Sequence, residues 1–516
     1  MLALLGLIQE SPPVGLHRPS MPPSIKNLAS QTTLAAGWSA ISFVVLRSAS
    51  LVNQVVIAAF LFPSDLGAVA LAGSLAMVGE MVQATSVGEV LLRRKKPRVW
   101  FASGELLAFA MGLIAMLLVL LAALFAGFVL QNQLVCLLML VTSVKHPIRA
   151  LGVVPRTSMS HAFRFREISI VETISSISIV LMTVILALFG FGAFSIVIPW
   201  VTAEAIKTVS YYKLTCHQRL KNPSRSKMRL LMSGNVPVAV GNFALQFTQQ
   251  VDYLVLGLFY TETILGLYYF AFNLASQVAL AVSSLVTSNL QVTLSSVSDD
   301  PERQYRGFLR ACKIIATFGM PLCVLQALLA EELIQSIFND RWHGSVVFLQ
   351  LLSCGFGFRL IAFTCSKFMI AQGRYTLYAK NAIATATIFL FAIVTGALLS
   401  DSGVGVAIAT CVYSTFLSFI YLYVSLPNQH RPDFLRIAKS IFLFPFLGSF
   451  VVLPAMKAIA ILATSHLQSD WLTIAATTIS GVILYGLLFR RYSPEVWEDV
   501  ATQGQRAVQR RRPLAE

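Results

Sequence analysis

From residue 31 onward the chain alternates between long apolar runs and short polar connections. A helix rises 1.5 Å per residue, so about 20 apolar residues cross roughly 30 Å of bilayer hydrocarbon. By that measure the pattern predicts fourteen membrane-spanning helices. They run from Gly37 to Phe62, Leu66 to Leu92, Phe101 to Leu130, Leu134 to Val154, Ile168 to Phe189, Ala193 to Lys213 and Leu230 to Tyr260. The remainder are Leu265 to Leu294, Phe308 to Ala330, Ser345 to Gln372, Thr376 to Leu399, Gly403 to Leu426, Ile437 to Thr464 and Trp471 to Phe489.

The connections alternate in character. "RRKKPR" (93–98), "PRTSMSHAFRFRE" (155–167), "HQRLKNPSRSKMR" (217–229), "DDPERQYRGFLR" (299–310), "QGRYTLYAK" (372–380) and "PNQHRPDFLR" (427–436) are basic, as is the tail. Those between them carry one base, Arg341, against seven acids. The positive-inside rule places the basic set and both termini in the cytoplasm. The acidic connections are short, the longest being residues 331–344.

Composition agrees with the pattern. Hydrophobic residues make up 56% and charged residues 12% of the 516, against about 25% charged in soluble domains. The fold class is therefore all-α and polytopic, a multi-pass membrane protein. The formal charge of +16 sits in connections rather than on one aromatic-interleaved face, which excludes nucleic acid as a partner. "MLALLGLIQE" lacks a basic leader and is too short to span, and the Pro-rich stretch after it reads as a disordered cytosolic tail over residues 1–30, with Met21 as an alternative start. The seven cysteines form no CxxC pair and lie in spans or on the basic side, so no disulfide and no metal centre is expected. No nucleotide loop, HExxH or GxSxG motif stands out, so neither a cofactor nor an enzymatic site is expected.

The helices divide as two sixes and an appended pair: an N-lobe over 31–215, a basic linker over 216–229, a C-lobe over 230–427, helices thirteen and fourteen over 428–490, and a basic tail over 491–516. The first helix of each lobe is interrupted by amides and a charge, "LRSASLVNQVV" and "ALQFTQQVDYLVLG". Each is followed by an acidic turn ending in Leu-Gly, "SDLG" (Asp65, Leu66, Gly67) and "TETILG" (Glu262, Leu265, Gly266), with spacing that differs by a residue or more. Six intervening helices imply a parallel repeat about the membrane normal.

In "LVNQVVIAAFLFPSDLGAVALAG", "VGEVLLRRKK" and "QQVDYLVLGLFYTETILGLYYFAFNLA" the chain resembles the polysaccharide transporter family. That family belongs to the multidrug, oligosaccharidyl-lipid and polysaccharide exporter superfamily and includes the O-antigen and exopolysaccharide repeat-unit flippases. The resemblance covers roughly residues 31 to 490. It implies two lobes around a cavity that opens alternately to each side, and a lipid-diphosphate-linked oligosaccharide as cargo. The remaining expected partners are membrane lipids, a coupling proton or sodium ion, and a polysaccharide polymerase or chain-length protein. Another exporter of the superfamily, for lipid II or for drugs, stays open as an alternative. A membrane-embedded polymerase or ligase is disfavoured by the short acidic connections.

Charges inside spans are the candidate site. An Arg, Lys or Asp at the bilayer centre costs about 2.5 to 3.5 kcal/mol, so such groups face partners or water. Seven lie deep: Arg47, Lys145, Lys207 and Arg359, proposed to bind substrate, and Glu80, Glu204 and Asp252, proposed to couple or to form ion pairs. Arg149 and Lys367 sit nearer the basic ends as interface anchors, and Lys457 near the acidic end is expected to snorkel to the interface. Glu204 and Lys207, three apart, can neutralise each other. Arg47 either lines the cavity or pairs with an acid such as Glu80 or Asp252. Asp252 is either a coupling site or half of a salt bridge. The surplus of positive charge suits a diphosphate head, whereas exporters of organic cations would show an acidic excess. Prolines 147, 199, 237, 321, 445 and 454 are expected to kink helices, with Pro237 also a candidate hinge. Most aromatics are packing or lipid-facing surface, though Tyr268, Tyr269 and Phe270 could line a sugar or prenyl groove.

Overall fold

The computed structural model describes residues 45–83, 87–92, 97–215, 223–233, 243–296, 300–464 and 470–492. The expected N-terminal tail with Met21, most of the C-terminal tail and Pro237 lie outside these residues. Among the described residues there is no strand, and eleven helices are long and apolar enough to cross a membrane. The main helices of the first half are α1 (Val45–Phe60), α2 (Pro63–Gln83), α3 (Phe101–Phe128), α4 (Gln133–His161), α5 (Phe165–Leu188) and α6 (Phe194–Thr215). Those of the second half are α7 (Val251–Phe259), α8 (Glu262–Ser296), α9 (Pro301–Leu328), α10 (Val346–Ala371), α11 (Tyr375–Leu398) and α12 (Val404–Ser425). Two more follow, α13 (Phe434–Ile459) and α14 (Asp470–Tyr492).

Helices α2 to α6 pack chiefly on one another, as do α8 to α12. The broad contact between the two groups runs along α2 and α8, while α13 and α14 pack on each other and α13 also on α9. In α9 and α10 most of the hydrophobic span is buried, and in α5 little of it is, so the former two form the core of their group and α5 faces lipid.

Several boundaries differ from the sequence expectation. Of the basic stretch 299–310, expected as a connection, residues 301–310 form the first turns of α9: the Asp300 carboxylate accepts from the Arg303 N–H at 3.0 Å and Pro301 occupies the first helical position. Likewise α4 runs on to His161, through residues expected to form a loop. The seventh span is not one rod. Residues 243–248 are helical, the chain breaks at Gln249 and Gln250, and α7 restarts at Val251 with Asp252 in its first turn. A carboxylate there suits the positive end of the helix dipole. In α13, Pro445 precedes a π turn at Gly448–Val452, which matches the kink expected of an internal proline.

The two acidic turns meet each other. A Cβ on Gly67 would lie 1.9 Å from the Glu262 carbonyl oxygen, and one on Gly266 would lie 1.7 Å from that of Pro63. Only glycine allows backbones so close. The contact is reciprocal, as a pseudo-two-fold axis between α2 and α8 requires, and it corrects the repeat. Gly67 and Gly266 each follow a Phe, Phe60 and Phe259, at the same spacing, so Leu66 aligns with Leu265 and Asn53 with Asp252 without a gap.

The same end is held by further bonds. Asn132 donates to Glu262 Oε1 at 2.5 Å. The 331–344 connection, expected as a loop, forms a short helix, Ala330–Ile337, and a 3₁₀ turn, Asp340–Ser345. Its Trp342 is fully buried, stacks on Phe270 and donates to the Ala58 carbonyl at 2.8 Å. Arg341 donates to the Leu61 carbonyl at 3.2 Å and lies over the Phe62 ring. A carbonyl of the last turn of α1, which lacks a partner within the helix, and that of Leu61 just beyond it are thus satisfied from the far half of the chain. Lys457 does not snorkel: it pairs with Glu332 at 2.8 Å and also donates to the Leu328 carbonyl, tying α13 to this connection.

Gly266→Ala should destabilise the purified protein by about 1–3 kcal/mol through overpacking, read as a lower melting temperature in detergent; an unchanged midpoint would show that the crossing is looser. Trp342→Ala should cost more, about 3–5 kcal/mol, in the same measurement.

Candidate functional site

Pro147 cannot continue the helical bond pattern to the Ser143 carbonyl, and α4 steps at Val144. Beyond the step, Lys145, His146 and Arg149 face α2. Lys145 Nζ lies 2.9 Å from Glu80 Oε1, and Arg149 Nη1 lies 2.7 Å from Glu80 Oε2. One turn along α2, Gln83 donates to the His146 carbonyl at 2.7 Å, and its Oε1 lies 3.2 Å from His146 Nδ1. The imidazole is fully buried, and its Nε2 has no hydrogen-bond partner.

Glu80, Lys145 and Arg149 line a cavity of about 390 Å³ between the two halves. Its other walls include Gly73, Met77 and Trp200 from the first half and Gln246, Gln250 and Tyr269 from the second. The break before α7 therefore presents its amides to this space. Glu80 and Lys145 are 20% and 19% exposed, and Arg149 is 49% exposed, so the arginine is the more accessible cation. It also lines a second cavity of about 610 Å³ within the first half, with Arg156, Glu172, Glu204, Lys207 and Tyr211. Arg149 is thus not simply the interface anchor expected from its place near the helix end.

The seven deep charges do not converge. Glu80 and Lys145 meet in the central cavity. Glu204 and Lys207 pair with each other at 2.9 Å on the wall of the first-half cavity. Asp252 is fully buried beside α8 and α12: it accepts from the Tyr268 hydroxyl at 3.0 Å and from the Tyr253 N–H at 3.0 Å, and the same hydroxyl lies 3.2 Å from Thr410 Oγ1. Arg359, 5% exposed, lies within electrostatic reach of Asp252, with its guanidinium over Phe356 and Phe363. These two belong to a buried network of the second half rather than to the wall of either cavity. Arg47 donates to Gln277 Oε1 at 2.9 Å, and Gln277 in turn donates to Ser50 at 2.8 Å, which joins α1 to α8. The ion pair weighed for Arg47 is not formed with either named acid: Glu80 is held by Lys145 and Arg149, and Asp252 by Tyr268.

Of the three aromatics considered for a groove, Tyr268 and Phe270 are fully buried core, and Tyr269 reaches the central cavity. Sequence reasoning passed over Gln83, Gln246 and Trp200. The placing of Arg149 four residues after Lys145 was the legible signal, since both then lie on one helix face.

A family model described as "Polysaccharide biosynthesis protein" matches residues 56–347. The chain is 19% identical over 444 residues to the lipopolysaccharide biosynthesis protein WzxC of Escherichia coli (strain K12), covering 86% of this chain and 90% of that one. It is 22% identical over 263 residues to the teichuronic acid biosynthesis protein TuaB of Bacillus subtilis (strain 168), covering 49% and 52%. Among solved structures, the lipid II flippase MurJ in an inward closed conformation superposes with a TM-score of 0.68 at 18% identity, over 88% of this chain and 98% of that chain. An inward-facing multidrug resistance MATE family transporter of the MOP superfamily gives 0.59 at 11% identity, over 76% and 96%. Both likenesses are of fold. Together with the family they support a multi-pass membrane exporter. With more than half of its length matched by that model, the chain belongs to the polysaccharide biosynthesis protein family.

Proposed function

We propose that the protein is a flippase that moves polyprenyl-diphosphate-linked oligosaccharide repeat units across the bacterial inner membrane by alternating access, for O-antigen or exopolysaccharide synthesis. The observation that carries this reading is the central cavity, where Lys145 and Arg149 face a single acid, Glu80. Two cations against one acid leave one positive charge, in surroundings where charge-assisted bonds to phosphate oxygens are strong. Arg149 can exchange Glu80 for phosphate at little electrostatic cost, because Lys145 keeps the carboxylate paired.

The closure of the acidic end supports the alternation. The Gly67–Gly266 crossing, the Asn132–Glu262 bond and the Trp342 and Arg341 bonds at the end of α1 all join the two halves there. Opening that end would break them, and the lobes over 31–215 and 230–427 would rock about the crossing. In this scheme the basic end and both termini face the cytoplasm. Asp252 at the restart of a broken helix takes the role of coupling site for a proton or sodium ion. Arg47 serves the cargo as a secondary cation, Arg359 acts on Asp252 rather than on the cargo, and Lys207 lies where the cargo extends beyond Arg149.

In cells lacking the protein, lipid-linked repeat units should accumulate on the cytosolic side. Each charged hydrogen bond to phosphate is worth about 1.5–3 kcal/mol. A double variant, Lys145→Gln with Arg149→Gln, should therefore lose at least about a hundredfold in complementing activity while still inserting; full complementation by it would overturn the cavity assignment. For Arg47, the lysine variant should keep partial transport and Arg47→Ala should lose it. Equal and full activity of both would remove Arg47 from the cargo path.

A further inference from the structure

We propose that the cavity of about 610 Å³ inside the first half binds the saccharide portion of the cargo, beside a central cavity that holds the diphosphate. This rests on the flippase reading above. The volume falls in the range of roughly 300–1,000 Å³ usual for ligand sites, and the wall chemistry selects among the parts of a lipid-linked sugar.

Each cation of that wall has an acid at hand. Arg156 pairs with Glu172 at 2.9 Å, Lys207 with Glu204 at 2.9 Å, and Arg149 with Glu80 at 2.7 Å. Arg156 and Lys207 are thus neutralised by acids of the same wall, while Arg149 is shared with the central cavity, so a phosphate placed deeper in this space would meet Glu172 and Glu204. An apolar prenyl tail would desolvate all of these groups without replacing their hydrogen bonds. A sugar hydroxyl both donates and accepts, which matches a wall where fixed donors and acceptors alternate. The Thr157 and Thr208 hydroxyls are turned to helix carbonyls, at 2.7 and 2.9 Å, which leaves their oxygens as acceptors. The Tyr211 hydroxyl is buried in the wall, and the neighbouring Arg156 guanidinium makes no well-formed hydrogen bond to it. A buried polar atom left in that state is costly unless something meets it.

The order of the cavities follows the order of the cargo. Arg149 lines both, so a diphosphate held at Arg149 and Lys145 directs its first sugar through that junction into the larger space.

The test is binding to the purified full chain in nanodiscs, with two probes: bare polyprenyl diphosphate and the same lipid bearing one hexose. Wild type should bind the hexose form more tightly, by about tenfold. Ser160→Trp, at the helix end that borders the cavity, should abolish that preference and leave the bare lipid unchanged. Tyr211→Phe, which removes only that hydroxyl, should reduce the preference about threefold to tenfold. Equal binding of both probes by wild type, or a preference that survives Ser160→Trp in a monodisperse protein, overturns the saccharide subsite alone. Failure of wild type to bind either probe overturns the flippase reading and the subsite with it.

Discussion

An ionisable group in hydrocarbon must find a partner or water, and that constraint organises the interior of this protein. Glu80 answers it by binding Lys145 and Arg149 together, which fixes α2 against α4 and leaves a charged wall on the central cavity. Glu204 and Lys207 answer it within one helix, and Arg156 and Glu172 do so between α4 and α5. Asp252 answers it with hydrogen bonds from Tyr268 and the Tyr253 backbone. Each solution ties neighbouring turns or helices, so the charges that could carry cargo also hold the framework that surrounds it.

The second determinant is backbone proximity. Gly67 and Gly266 bring α2 and α8 to a distance that no side chain permits, and they do so at the end where the two acidic turns lie. Around that crossing the connection 330–345 acts as a brace, with Trp342 and Arg341 capping carbonyls at the end of α1 and Glu332 holding Lys457 of α13. The central cavity lies alongside the crossing, walled by α2, α4, α6, α8 and the residues just before α7. One end of the molecule is therefore strongly joined while polar space remains inside it.

The charge pattern of the two cavities separates what they can hold. Between the halves one cation is left over, whereas within the first half Arg156 and Lys207 each have an acid of their own, Arg149 being common to both cavities. A phosphate and a sugar chain make these two different demands, the first for excess charge and the second for neutral, dense hydrogen bonding.

The all-α, multi-pass membrane class was legible in the sequence, because the length of apolar runs follows from the bilayer itself. So were the identities of most buried charges, since such residues stand out against 56% hydrophobic composition. The paired "LG" turns were visible, but their gapless register was not, as only the Gly67–Gly266 contact shows which residues are equivalent. Arg149 looked like an anchor because distance along one helix says nothing about an acid on another. The break before α7 and the reach of Trp342 to Ala58 depend on contacts 284 residues apart in the latter case, beyond any local pattern. The sequence by itself determined that the chain is a helical multi-pass membrane protein and which charges lie within its apolar runs. The tertiary structure decided which charges meet, because in a medium without water a partner is chosen by helix packing in space and not by proximity along the chain.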